Sequence, residues 1–233
     1  MITSAHIGIG ISGLEGQAAA RAADYAIGQF KFLKTLLFFH GRECYRRNSY
    51  TVGYMFYKNV LLVFPIFFYG IFSLYSGQPI YESYLYQTFN LFYTSWPILY
   101  FGLFDYEHSR EDFLRKPVLY KVGIQNKHFS SFVFWRWVVY GIWQGYLLMY
   151  ICFTSLNRNA DSRGNYGSFD TEGTFAFLMV VLVANVKILM STHLYTFWAF
   201  FFSIGSTALA LLAWFLLNLL PSNQIFGTFS HVW

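Results

Sequence analysis

Five residues in two short stretches could do chemistry inside an otherwise apolar region. They are Lys58 and Asn59 in "MFYKNVLLVFP", and Asn90, Thr94 and Ser95 in "FNLFYTSWPILYFG". A lysine with amides and hydroxyls offers one fixed positive charge beside neutral hydrogen-bonding groups. That set suits a phosphate or a zwitterionic headgroup. Asn90 and Thr94 stand four residues apart, on one helical face, and Pro97 frees a backbone carbonyl a turn later. A Ca2+ or proton pathway would need intramembrane carboxylates. All eleven acids, at 15, 24, 43, 82, 105, 107, 111, 112, 161, 170 and 172, fall outside the interiors of the spans derived below. The alternative reading of the amides and hydroxyls is hydrogen-bonding glue between membrane helices. For Lys58 the alternative is a side chain that snorkels back to the headgroups. It lies eleven residues past Arg47, about 16 Å along a helix, which exceeds the reach of a lysine.

A second pattern opens the chain. "HIGIGISGLEG" holds a formal G-x-G-x-x-G at Gly8, Gly10 and Gly13. As a dinucleotide site it needs a strand before it and a βαβ unit around it. Only seven residues precede Gly8, and the chain turns apolar from about residue 50.

These residues sit in a chain of 233, of which 56% are hydrophobic, 23% aromatic and 12% charged. Soluble domains carry roughly 25% charged residues, so the composition is that of a multi-pass membrane protein and excludes a soluble nucleotide enzyme. A spanning helix needs about 20 apolar residues. Five stretches qualify, 51–74, 83–104, 129–153, 174–191 and 195–220, with a partial sixth at 222–233. Before them, 4–13 reads as a short strand and glycine turn, 15–30 as alanine-rich and helix-prone, and 31–49 as a basic amphipathic helix entering the membrane. Eleven of the sixteen basic residues lie before the first span or between the second and third. The positive-inside rule therefore puts the N-terminus and the 105–128 loop in the cytosol. Arg136 and Lys187, near span ends, are expected to snorkel. Cys44 and Cys152 fall near opposite faces and should not pair. No signal peptide is visible, since the first 45 residues lack an apolar h-region, and "MITSAHIG" reads as the interior of a longer protein.

Taken in order, "AHIGIGISGLEGQAAARAADYAIGQFKFLKTLLFFHGRECYRR" and "FYKN" resemble the phospholipid flippases, the P4 branch of the P-type ATPases. In that family a G-[IV]-G-I-x-G-x-E-G loop closes the phosphorylation domain, matched by Gly8, Gly10, Gly13, Glu15 and Gly16. A D-Y-x-I-x-Q-F-x-x-L stretch follows, matched by Asp24, Tyr25, Ile27, Gln29, Phe30 and Leu33. The F-Y-K-N of the fifth membrane helix is Phe56 to Asn59, and N-x-x-[FY]-T-[SA]-x-P of the sixth is Asn90 to Pro97. "RKPVLY" and "FVFWRW" resemble the loop and start of the seventh. One minor departure is Ala18, with Gln17 one place earlier than the usual Gln.

The resemblance implies an all-α membrane bundle of about five complete helices plus a truncated sixth, preceded by a short remnant of a Rossmann-like α/β phosphorylation domain. Residues 1–30 would be the edge of that domain, 31–49 the stalk and 50–233 the membrane domain. It implies an ATP-driven translocase that moves phospholipid to the cytosolic leaflet, with Lys58, Asn59, Asn90, Thr94 and Ser95 along the headgroup path and the glycine loop structural. Mg2+ and ATP belong to the full-length enzyme. The phosphorylated D-K-T-G, the G-D-G-x-N-D motif and helices one to four are not in this sequence. On this resemblance the chain begins just after G-D-G-x-N-D, ends inside helix ten, and is inactive alone. A two-span accessory subunit is the implied partner, and the Golgi, endosomes or plasma membrane the implied location. The rival is a non-catalytic membrane protein or assembly partner derived from the same bundle.

Overall fold

Alanine propensity favours helix through residues 15–30, but tertiary pairing overrides it. In the computed structural model, which describes residues 2–13, 17–156 and 169–219, helix α1 covers only Ala18–Arg21. The strand β2, Tyr25–Ile27, then pairs in parallel with β1, Ile9–Ile11, with Ile9 opposite Tyr25 and Ile11 opposite Ile27. Asp24 drives the switch. Its Oδ2 accepts from Gly8 N at 2.7 Å, while the Gly8 carbonyl accepts from Asp24 N and Tyr25 N. Gly10 is required by packing, because a Cβ there would lie 2.4 Å from the Ala19 carbonyl oxygen. Gly13 has open space around it. Glu15 and Gly16 of the same loop lie outside the described residues, as do Asp161, Gly164 and the partial span at 222–233.

The chain divides into two compact units, Met1–Arg46 with Tyr106–His128, and Arg47–Asp105 with Phe129–Trp233. The first holds the small sheet and an ionic cluster. Arg42 bridges Glu43 and Glu107, both at 2.5 Å, and lies over the Phe113 ring, while Arg46 Nε meets Glu43 at 3.0 Å. Arg42, Glu43 and Arg46 are buried, so part of the stretch expected as a basic amphipathic helix is a paired interior.

The division falls inside the helix α2, Phe32–Phe72, which has a π-helical stretch at Leu36–Gly41. The second unit continues with α3 (Ser83–Thr88), a π-helical turn (Phe89–Tyr93), α4 (Ser95–Phe104), α5 (Ser131–Leu156), α6 (Phe169–Ser191) and α7 (Phe197–Asn218). Among the described residues three helices are long and apolar enough to cross a membrane: Phe32–Phe72, Glu172–Ser191 and Phe197–Asn218. The two other expected spans take different forms. The stretch 83–104 is broken, because Pro97 has no N–H to return to the Tyr93 carbonyl. The stretch 129–153 forms a 26-residue helix, long enough to cross a ~30 Å core. Its Trp135, Trp137, Tyr140, Trp143, Gln144 and Arg136 keep its hydropathy low.

The core is aromatic, built around Tyr54, Tyr57, Phe89, Phe101 and Phe177. Small residues let α2 and α5 approach closely. A Cβ on Gly141 would lie 2.8 Å from Val60 Cγ1 and 3.1 Å from the Tyr57 carbonyl oxygen. Gly141→Val should therefore force the pair apart and destabilise the bundle by about 1–3 kcal/mol, the usual cost of overpacking. Thermal unfolding in detergent checks this, and an unchanged midpoint would show that the helices have room to spare.

Candidate functional site

The site is built where the second expected span breaks. A π-helical turn pairs groups five residues apart rather than four. Thr94 Oγ1 accordingly donates to the Phe89 carbonyl at 3.0 Å, and the Ser95 hydroxyl donates to the Asn90 carbonyl. Thr94 itself leaves helical geometry, at φ −133° and ψ −6°. The extra residue per turn changes which side chains share a face. Thr94 is fully buried and Asn90 is exposed, so the single face expected from their i, i+4 spacing does not exist.

Lys58 is 1% exposed. Its Nζ donates to Thr94 Oγ1 at 2.9 Å and stands 6.0 Å from the centroid of the Phe89 ring. The side chain thus turns into the protein and does not snorkel. Among the described residues no carboxylate pairs with this ammonium, which is held by one neutral hydroxyl and an aromatic face. The structure brings Lys58 and Thr94 together. Asn59 is exposed on the next position of α2, and Ser95 is half-buried. Next to Lys58, the Tyr57 hydroxyl donates to Gln144 Oε1 of α5. The site can bind an anion or a neutral acceptor without net repulsion.

The carbonyl freed by Pro97 has a partner that sequence reasoning missed. Asn185 Nδ2, from α6, donates to the Tyr93 carbonyl oxygen at 3.0 Å and to Thr207 Oγ1 of α7 at 3.0 Å. The signal was present, since Asn185 is a lone amide in the apolar run "VVLVANVKILM". At the other end of α4, the buried Asp105 accepts from His193 N at 2.8 Å and Leu194 N at 2.9 Å. That carboxylate fixes the short link between α6 and α7. Lys187, an expected snorkeller, lies over the rings of Trp137 and Tyr140 at 5.6 and 5.4 Å, whereas Arg136 is exposed. Cys44 and Cys152 are not joined by a disulfide. Among the described residues no group of three or more His, Cys, Asp or Glu is arranged to hold a metal ion.

Comparison with known proteins points one way. The family model described as phospholipid-translocating P-type ATPase C-terminal matches residues 20–233. The yeast Phospholipid-transporting ATPase DRS2, from Saccharomyces cerevisiae, is 37% identical over 222 residues, which cover 88% of this chain and 16% of that protein. The Probable phospholipid-transporting ATPase IM of Homo sapiens is 36% identical over 232 residues, 99% of this chain and 19% of the relative. The Probable phospholipid-transporting ATPase 12 of Arabidopsis thaliana is 35% identical over 197 residues, 84% of this chain and 17% of the relative. The chain thus spans about a sixth to a fifth of the length of these curated relatives.

The geometry carries its own test. Thr94→Val keeps the shape but leaves the Lys58 ammonium without its hydroxyl partner. A hydrogen bond to a charged group contributes about 1.5–3 kcal/mol, so this variant should lose that order of thermal stability in detergent. Thr94→Ser, which retains the oxygen, should lose little. Equal melting of all three proteins would mean that Lys58 finds another acceptor.

Proposed function

Because the chain belongs to the phospholipid-translocating P-type ATPases, we propose that it supplies part of the lipid headgroup path of an ATP-driven flippase. The observation that carries this reading is the buried Lys58 ammonium, paired with the neutral Thr94 hydroxyl and, among the described residues, with no carboxylate. A charge taken from water without a counter-ion is costly inside a membrane. A lipid phosphate or a serine carboxylate passing the break would offset that cost. Asn59 and Asn90, exposed on α2 and the π-helical turn, would hold the headgroup through neutral hydrogen bonds, with Ser95 beside them. Lipid would move from the outer or lumenal leaflet to the cytosolic one. The chemistry that drives it, with its ATP and Mg2+, would lie in residues outside this chain. Residues 2–13 and 17–30, with their parallel pair of strands, would be the edge of the phosphorylation domain.

The test uses a chimera in which this chain replaces the matching segment of the yeast relative. Lys58→Ala should leave membrane insertion and phosphoenzyme formation from ATP intact and weaken lipid-stimulated dephosphorylation. One lost charge-assisted hydrogen bond corresponds to a rise of roughly tenfold to hundredfold in the lipid concentration needed. Unchanged lipid dependence would remove Lys58 from the path.

Orientation is tested separately. With the N-terminus cytosolic, a cysteine replacing Ser76, in the link between α2 and α3, should react with an impermeant thiol reagent only from the outer or lumenal side. A cysteine replacing Ser109 should react only from the cytosol. The reverse pattern would overturn the topology. We also propose that the loop at 154–173, most of which lies outside the described residues, helps dock a two-span accessory subunit. The chimera should then co-migrate with the host's accessory subunit on gel filtration, and a chimera that runs alone contradicts this.

A further inference from the structure

We propose that Asn185 is a positioning residue for the lipid site: it clamps the carbonyl that Pro97 leaves free and so sets Thr94 against Lys58. The inference rests on the headgroup reading of Lys58 given above.

The orientation of the Asn185 amide follows from its neighbours. A carbonyl can only accept, so the atom facing the Tyr93 oxygen must be the nitrogen. The Thr207 hydroxyl spends its proton on the Ser203 carbonyl at 3.1 Å, leaving a lone pair for the second amide hydrogen. Both hydrogens of Nδ2 are therefore used. Asn185 Oδ1 is buried and has no partner among the described residues, on a side chain 2% exposed. An orphaned buried acceptor opposes folding. A leucine of similar volume would remove that orphan but leave the Tyr93 carbonyl without its donor, so packing against α7 alone does not account for the amide.

Its position does. Tyr93 immediately precedes Thr94, the residue that leaves helical geometry. The Tyr93 carbonyl is fixed by Asn185, and the Thr94 hydroxyl is fixed by the Phe89 carbonyl five residues back. With both constraints in place, the remaining lone pairs of Thr94 Oγ1 face Lys58 Nζ. Thr207 anchors the amide from the other side. The sequence of contacts runs Thr207, Asn185, Tyr93 carbonyl, Thr94, Lys58, and it joins four helical segments of one unit: α7, α6, the π-helical turn and α2. Asn185 never touches the ammonium. It acts through the break.

In the chimera, Asn185→Leu should raise the lipid concentration for half-maximal dephosphorylation by about threefold to tenfold, the range of one lost neutral hydrogen bond. Phosphoenzyme formation from ATP should not change. Made together with Lys58→Ala, it should add little, because both changes remove the same held geometry. Thr207→Val, a milder change that keeps the Tyr93 bond, should shift lipid dependence in the same direction by less, and it carries the test if Asn185→Leu does not reach the membrane. Lower thermal stability with unchanged lipid dependence would overturn the proposal and leave Asn185 as packing. An equal shift with and without Lys58 would overturn it too, since Asn185 would then act independently. A silent Lys58→Ala beside a shifted Asn185→Leu would instead overturn the headgroup reading and leave the clamp on the break standing.

Discussion

A lysine ammonium buried in an apolar bundle must be given an acceptor, and much of the site follows from how this chain supplies one. A regular helix has no spare acceptors, because each carbonyl is bonded to the N–H four residues on. The second expected span meets the demand by ceasing to be regular. A π-helical turn at Phe89–Tyr93 and a non-helical Thr94 bring one hydroxyl to 2.9 Å from Lys58. The break then creates a debt of its own in the Tyr93 carbonyl. An isolated unpaired carbonyl would cost several kcal/mol in hydrocarbon, and Asn185 removes that cost from a neighbouring helix.

The surroundings keep this arrangement rigid by neutral means. Aromatic rings fill the space around the break, with Phe177 edge-on to Phe89 and to Tyr93. Such pairs add about 0.5–1.5 kcal/mol beyond their area and introduce no charge that would satisfy Lys58 permanently. The single carboxylate at the end of α4, Asp105, is committed to the backbone of His193 and Leu194. Two fixed points therefore hold the segment after the break to α6 and α7, the Asn185 clamp at its start and Asp105 at its end. A site meant to exchange its ligand benefits from this combination of a firm frame and a weak resident partner.

How much of this could be read from the sequence depends on whether the cause was local. A lone lysine and a hydroxyl in apolar runs are local facts, whereas the hydrogen bond of Lys58 to Thr94 joins residues 36 apart and was not among the expectations. The freed carbonyl was legible from Pro97 alone. The burial of Thr94 apart from Asn90 was not, because i, i+4 logic assumes a regular helix and the π-helical turn adds a residue. The strand at Tyr25–Ile27 was hidden by alanine propensity, since its cause is the distant pairing of Asp24 with Gly8. Asn185 stood alone in an apolar run, yet its role needs a partner 92 residues away. The buried ion pairs of Arg42 and Arg46 were masked for the same reason, because a basic stretch read by itself looks solvated.

The most direct test of the account is contact between the Lys58 ammonium and a lipid phosphorus. In the chimera, held with phospholipid at the stage before dephosphorylation, lysine side chains carry 15N at Nζ and the lipid supplies natural 31P. Solid-state distance measurement between the two nuclei, with the Lys58→Arg protein as the subtraction control, isolates the Lys58 signal. The account expects that signal to be dephased by phosphorus, showing a headgroup at the break. A resolved Lys58 signal with no phosphorus dephasing would contradict it and leave the ammonium as a structural partner of Thr94 alone.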